Sequence, residues 1–139
     1  MVQPPLSTRP SRWIAPALLL LGSAMLVLAW TLVALWLQHQ SSWMAVVVAV
    51  DAALLLRWGG MRPGPGRAAW AVGATVATIV LANWSIAATH LGMAVGLRPW
   101  ESALRLGMHH ASTLAGLANT GADLAWMAVA VVVAWWMGR

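Results

Sequence analysis

The run WIAPALLLLGSAMLVLAWTLVALWL, residues 13–37, decides the fold class of this chain. It contains no charged side chain, and at about 1.5 Å of rise per residue a helix of this length crosses a hydrocarbon core about 30 Å thick. It is too long for the apolar part of a signal peptide, and no clear cleavage site follows it. We therefore predict a first membrane-spanning helix over residues 13–37.

The composition of the whole chain agrees with this run. Hydrophobic residues make up 61% of its 139 residues and charged residues 8%, against about 45–50% and about 25% in soluble domains. Such a chain cannot cover itself with polar surface, so its expected solvent and partner is membrane lipid. Because the sequence has no cysteine, disulfides, thiolate metal sites and cysteine nucleophiles are excluded.

Three further apolar runs follow, and they predict membrane-spanning helices over residues 43–58, 68–91 and 114–137. The first of these is short, and a re-entrant segment is the alternative there. An amphipathic helix over residues 99–109 is expected to lie in the headgroup plane before the last span. The predicted fold class is all-α: one membrane domain over residues 1–139, a four-transmembrane-helix bundle with a short interfacial helix.

The arginines predict the orientation of the bundle. With four spans, one side of the membrane receives Arg9, Arg12, Arg57, Arg62, Arg67 and Arg139, and the other receives Arg98 and Arg105. Cytoplasmic connections carry the excess of basic residues, so we expect both termini in the cytoplasm, in a bacterial inner membrane. The net charge of +5 is spread singly between apolar runs. No basic stripe could follow a duplex, and no nucleic-acid partner is expected.

Polar side chains at membrane depth form the first candidate site. Counting inward from the outer face places Asp51, Asn83, Asn119 and Asp123 in one intramembrane polar layer. In one interpretation both carboxyls are neutral and form hydrogen bonds that link the helices. A second is a proton or cation site that the two carboxylates share. A third is a partner subunit whose basic residue pairs with one of them, because no arginine of this chain lies within the layer.

The histidines form the second candidate site. All four fall on the outer side, and the only glutamate lies on the predicted interfacial helix; the set is His39, His90, His109, His110 and Glu101. The simplest interpretation is that imidazoles tolerate the membrane interface. A metal ion would require two or three of these residues to converge. Haem b would require two axial histidines at one level on facing helices. A pH sensor or a partner contact completes the alternatives.

No catalytic motif of diagnostic spacing is present, so no catalytic residue is assigned and an enzyme is not the expected class. The leading prediction is a non-catalytic accessory or structural subunit of a membrane complex, without a bound cofactor, either as a homo-oligomer or within a larger assembly. One alternative is a haem- or quinone-linked electron-transfer subunit that uses the outer histidines. The other is a small proton-coupled transporter that uses Asp51 and Asp123.

Overall fold

The computed structural model contains helices and no strand among the residues that it describes. These residues are 12–39, 41–105, 107, 110, 112–113, 116–117 and 119–139. The helices are α1 (Ile14–Leu37), α2 (Met44–Trp58), α3 (Pro65–Val95), α4 (Pro99–Arg105) and α5 (Gly121–Gly138). Three of them, α1, α3 and α5, are long and apolar enough to cross a membrane. The chain is therefore a helical membrane protein, as its composition predicts.

Local chemistry sets the ends of α3. Pro65 occupies the first turn, where its fixed φ suits a helix and its missing N–H is not needed. Gly96 ends the helix in the left-handed conformation, with φ at 72°, and its N–H bonds to the carbonyl of Gly92. The predicted third span, 68–91, lies inside this helix, which continues beyond it at both ends.

The last two predicted helices differ more from the structure. The predicted fourth span begins at residue 114, whereas α5 begins at Gly121, because Thr120 and Asp123 form a capping box there. Residues 114, 115 and 118 lie outside the described residues. The predicted interfacial helix, 99–109, corresponds to α4, which ends at Arg105; residues 106, 108 and 109 are likewise outside them.

Helix α2 contacts α1, α3 and α5. Its packed face consists of small and aliphatic side chains, all of them buried: Ala45, Val48, Ala49, Ala52, Ala53 and Leu56. Alanine lets helix backbones approach closely. The resulting van der Waals packing holds the helices together in lipid, where no hydrophobic driving force acts between them. Although it is the shortest of the four bundle helices, α2 packs against the other three, and among the described helices only α3 has as many neighbours or more.

Backbone contacts join the helices at one end. A Cβ placed on Gly59 would lie 2.5 Å from the Cα of Ala15, and one on Gly138 would lie 2.6 Å from the Cα of Ala68. Arg67 adds a hydrogen bond, since its Nε donates to the carbonyl of Gly138 at 2.9 Å. These contacts bring together the start of α1 with the end of α2, and the start of α3 with the end of α5. We call this the basic end, because five arginines lie at or beside it: Arg12, Arg57, Arg62, Arg67 and Arg139.

The outward surface of α1 is apolar along its length. Its most exposed large side chains are Leu20, Leu21, Met25, Leu28, Leu32 and, most exposed of all, Trp36 near its end. In water such a continuous apolar face marks an interaction surface or an aggregation hazard. On a helix of this hydropathy it is the surface expected to face acyl chains.

Candidate functional site

The carboxylate of Asp123 is the centre of a group of polar side chains at the end opposite the basic end. Its Oδ1 accepts a hydrogen bond from the hydroxyl of Ser42 at 2.6 Å. Its Oδ2 accepts two more, from the backbone N–H and the hydroxyl of Thr120, each at 2.7 Å. Both oxygens are thus acceptors, which is the role of an ionised carboxylate.

The sequence around each partner explains this geometry. Thr120 is the N-cap of α5 and Asp123 its third residue, so each side chain binds the other's backbone N–H. Ser42 lies just before α2 and is only 3% exposed. One carboxylate therefore caps α5 and joins its start to the start of α2, so these two helices run in parallel.

Two asparagines extend this group toward α3. The Nδ2 of Asn119 donates to the Oδ1 of Asn83 at 3.3 Å, and the Nδ2 of Asn83 donates to the carbonyl of Ile79 at 2.9 Å. Asn83 is buried, and hydrogen bonds between buried amides link helices in lipid. We call these five residues the polar cluster: Ser42, Asn83, Asn119, Thr120 and Asp123.

A separate hydroxyl pair joins α1 to α3 close to the level of Asn83. The Oγ1 of Thr31 lies 3.1 Å from the Oγ of Ser85 and 2.8 Å from the carbonyl of Val27. Thr31 is buried. Polar side chains at or near this end thus join α1 to α3, the start of α2 to the start of α5, and the segment before α5 to α3.

Asp51 lies apart from the other three residues of the predicted polar layer. It is nine residues after Ser42, which corresponds to about 13 Å along α2. The separation differs from the prediction because Asp123 is in the first turn of α5, whereas a span starting at residue 114 would have carried it deeper. Asn83, Asn119 and Asp123 are brought to one end of the bundle, and Asp51 is midway along α2.

The surroundings of Asp51 are apolar on one side and closely packed on the other. Toward α1, a Cβ placed on Gly22 would overlap the side chain of Leu55 and lie 3.3 Å from the Oδ2 of Asp51, so this glycine makes room chiefly for Leu55. Asp51 forms no hydrogen bond or ion pair with any other residue that the structure describes. The surface of α2 beside Asp51 forms a shallow groove of about 350 Å³, which is lined by Val46, Val47, Val50, Asp51 and Leu54.

The described histidines are all exposed: His39 follows α1, His90 is on α3, and His110 follows α4. Within the described part of the chain, no three His, Asp or Glu side chains come together in a way that could hold a metal ion. His109 lies outside the described residues. The positions of these described side chains therefore do not support the metal or haem hypotheses.

Helix α4 carries the fifth residue of that set. The Oε2 of Glu101 accepts from the backbone N–H of Arg98 at 3.4 Å, at the start of the helix. The guanidinium of Arg98 lies 5.6 Å from the centre of the Trp100 ring. Ser102 is buried, and its Cβ would be 3.3 Å from a Cβ on Gly92, so this contact docks α4 onto α3. Glu101 thus serves the local fold of α4.

Sequence reasoning placed Thr120 close to Asp123 without assigning it to the site, and it missed Ser42. The spacing Thr120-x-x-Asp123 resembles a capping box and carries a usable signal for a helix start. Ser42 has no such signal, because its partner is 81 residues away. The cluster contains no base beside a nucleophile, and its groups act as hydrogen-bonding links between helices.

Comparisons with models of protein families, with curated proteins and with solved structures find no match for this chain.

Proposed function

We propose that this chain is a non-catalytic accessory or structural subunit of a membrane complex. The observation that carries the proposal is Asp51, a carboxyl midway along α2 that bonds to no other described residue and borders an apolar groove. The other buried polar side chains of the described spans have partners within the chain: Thr31 and Asn83 bond to side chains of other segments, and Thr75 and Thr78 bond to carbonyls of their own helix. Because ionisable groups inside a membrane are costly unless paired, Asp51 indicates a partner from outside this chain.

The proposed bundle has four membrane spans, with α2 as the second. Two contacts support this number. The Ser42–Asp123 bond joins the starts of α2 and α5, and the Gly59–Ala15 contact brings the end of α2 to the start of α1. Helix α2 therefore covers about the same depth of the bundle as α5, which is long and apolar enough to cross by itself. A re-entrant segment would turn back before reaching the basic end.

The proposed orientation places the basic end in the cytoplasm of a bacterial cell, with α4 at the outer surface of the inner membrane. It is supported by the five arginines at the basic end, against Arg98 and Arg105 beside α4. Trp100 is exposed on α4, as expected for a side chain at the headgroup level. Helix α4 is then the interfacial helix, docked on α3 through Ser102.

Single cysteines test this topology without background, because the chain has none of its own. His39→Cys, Glu101→Cys and Arg62→Cys all replace exposed side chains. A membrane-impermeant thiol reagent is expected to label the first two in intact spheroplasts and the third only after permeabilisation. Labelling of His39→Cys and Arg62→Cys from the same side would contradict four spans.

Photo-cross-linking tests the accessory role directly. A photo-reactive amino acid at Val47, on the groove beside Asp51, is expected to form an adduct with another membrane protein in native membranes. The matched control is the same residue at Leu32, which is exposed on α1 and lies near the same end of the bundle as Val47. No protein adduct from Val47, or the same adducts from both positions, would overturn the proposal.

The shared-carboxylate transporter receives less support from the geometry. A pair of carboxyls shares one proton only when the two groups interact strongly. Asp51 and Ser42, the partner of Asp123, are about 13 Å apart along α2. No contact among the described residues favours haem, quinone or metal binding.

A further inference from the structure

One face of α2 is arranged like the contact face of a transmembrane helix pair. Trp43, Val47, Asp51, Leu54 and Trp58 follow one another at intervals of four, four, three and four residues, so they share one face of the helix. Trp43, Val47 and Trp58 are 46%, 40% and 72% exposed, and the two between are half-buried. We call this face the α2 stripe. Its tryptophans lie at the two ends, where aromatic side chains anchor a span at the membrane interfaces.

The middle of the α2 stripe carries a group that lipid cannot satisfy. A charged side chain near the bilayer centre faces the interior of a bundle, pairs with another group, or contacts water. Asp51 has no bonded neighbour among the described residues, and the groove beside it is lined otherwise by valine and leucine. The complementary occupant is therefore apolar over most of its length and positively charged opposite Asp51.

None of the arginines that the structure describes provides that charge. Arg57 is on the same helix, six residues toward the basic end, and side chains six residues apart are not neighbours on a helix. The remaining described arginines lie at the basic end or beside α4. A second copy inserted in the same orientation would carry its arginines at the same depths, so it also presents none opposite Asp51.

We infer that the α2 stripe binds a transmembrane helix of a different protein, and that this helix carries an arginine or lysine near its middle that pairs with Asp51. The inference rests on the proposed accessory role and adds the chemistry of the partner. The flanking Val47 and Leu54 give apolar contact above and below the ion pair, and Trp43 and Trp58 hold the stripe at a fixed depth.

A model peptide tests the inference. The full chain, labelled with a donor dye at His39→Cys, is reconstituted in phospholipid vesicles with a leucine–alanine transmembrane peptide that carries an acceptor dye. Peptides with arginine or with leucine at the central position are compared by energy transfer. We expect the arginine peptide to bind about tenfold more tightly, a difference of about 1.4 kcal/mol. Asp51→Asn should abolish this preference, because asparagine keeps the shape and loses the charge.

Glu101→Gln is the matched control, because it removes one negative charge from the exposed helix α4 and should leave the preference unchanged. Equal binding of both peptides, or an unchanged preference in Asp51→Asn, would overturn the inference. An asparagine-centred peptide that binds as tightly as the arginine peptide would also overturn it, since a neutral hydrogen bond would then suffice. Energy transfer between two labelled copies of the chain that is lost in Asp51→Asn would also overturn it, because the α2 stripe would then bind a second copy.

These outcomes are separable from failure of the accessory role. If the cross-linker at Val47 still forms a protein adduct in native membranes while the peptides bind equally, the docking face stands and its cationic partner is rejected. If Val47 forms no adduct, the accessory role fails whatever the peptides do.

Discussion

The two aspartates of this chain occupy opposite kinds of site. Asp123 accepts three hydrogen bonds from Ser42 and Thr120, and by doing so joins two helices. Asp51 bonds to no other described residue and borders an apolar groove. The same side chain thus joins two helices in one place and, in the other, is the group to which we assign the proposed partner. The number of donors around a carboxylate separates these roles, and the hydropathy of the surrounding sequence does not.

The largest effect is expected for Asp123→Ala. This change leaves the buried hydroxyl of Ser42 without its acceptor, which costs about 1–3 kcal/mol. It also removes the half of the capping box that accepts from the backbone N–H of Thr120, which costs up to about 1 kcal/mol. We expect the free energy of unfolding to fall by about 3 kcal/mol, measured by far-UV circular dichroism during a detergent titration from mixed micelles. Glu101→Ala is the control, with a change within about 0.5 kcal/mol. If Asp123→Ala also lowered the free energy of unfolding by less than about 0.5 kcal/mol, Asp123 would not be structural and would not differ from Asp51 in this respect.

The next largest effect is expected for Gly59→Ala. It compares how much the close backbone contact at the basic end and the polar cluster each contribute to the free energy of unfolding. Gly59→Ala would bring a Cβ within 2.5 Å of the Cα of Ala15, so the two backbones must separate. Overpacking of this kind costs about 1–3 kcal/mol, and we expect a loss of about 2 kcal/mol in the same titration. Gly73→Ala is the matched control, because its Cβ would meet nothing within 4 Å. Equal losses in both variants would point to a general intolerance of larger residues.

A smaller effect is expected for the two asparagines of the polar cluster. Hydrogen bonds between membrane helices contribute about 0.6 kcal/mol on average. A double-mutant cycle of Asn83→Ala and Asn119→Ala should therefore give a coupling energy of about 0.6 kcal/mol. A coupling energy indistinguishable from zero would mean that the 3.3 Å contact contributes nothing and that Asp123 alone stabilises this end.

The helical membrane class could be predicted from the sequence because lipid imposes a simple rule. An uncharged run of about 20 residues must satisfy its backbone internally, and a helix does so. The predicted first span, 13–37, accordingly differs from α1 by one residue. Apolar runs also identified α2 and α3, although turn chemistry at Pro65 and Gly96 moved the ends of α3. The four-span count and the interfacial position of α4 stay predictions for the labelling experiment.

The candidate site was less predictable because depth depends on where a helix starts. Counting from residue 114 put Asp123 deep in the fourth span, whereas the capping box at Thr120 starts the helix seven residues later. The predicted start at residue 114 gave Asp123 the same depth as Asp51, and both were therefore assigned to one layer. The bond from Ser42 to Asp123 joins residues distant in sequence, and only the packing of α2 beside α5 brings them together.

The smallest effect on stability is expected for Asp51→Leu, and it completes the contrast with Asp123. Leucine removes a carboxyl without a bonded neighbour and adds apolar surface to a groove already lined by valine and leucine. Replacing a poorly compensated charge by an apolar side chain is often neutral or stabilising. We therefore expect the unfolding free energy of the isolated chain to change by less than about 0.5 kcal/mol, while the preference for the arginine peptide is lost. A loss above about 1 kcal/mol would show that Asp51 holds α1 and α2 together, and both aspartates would then be structural.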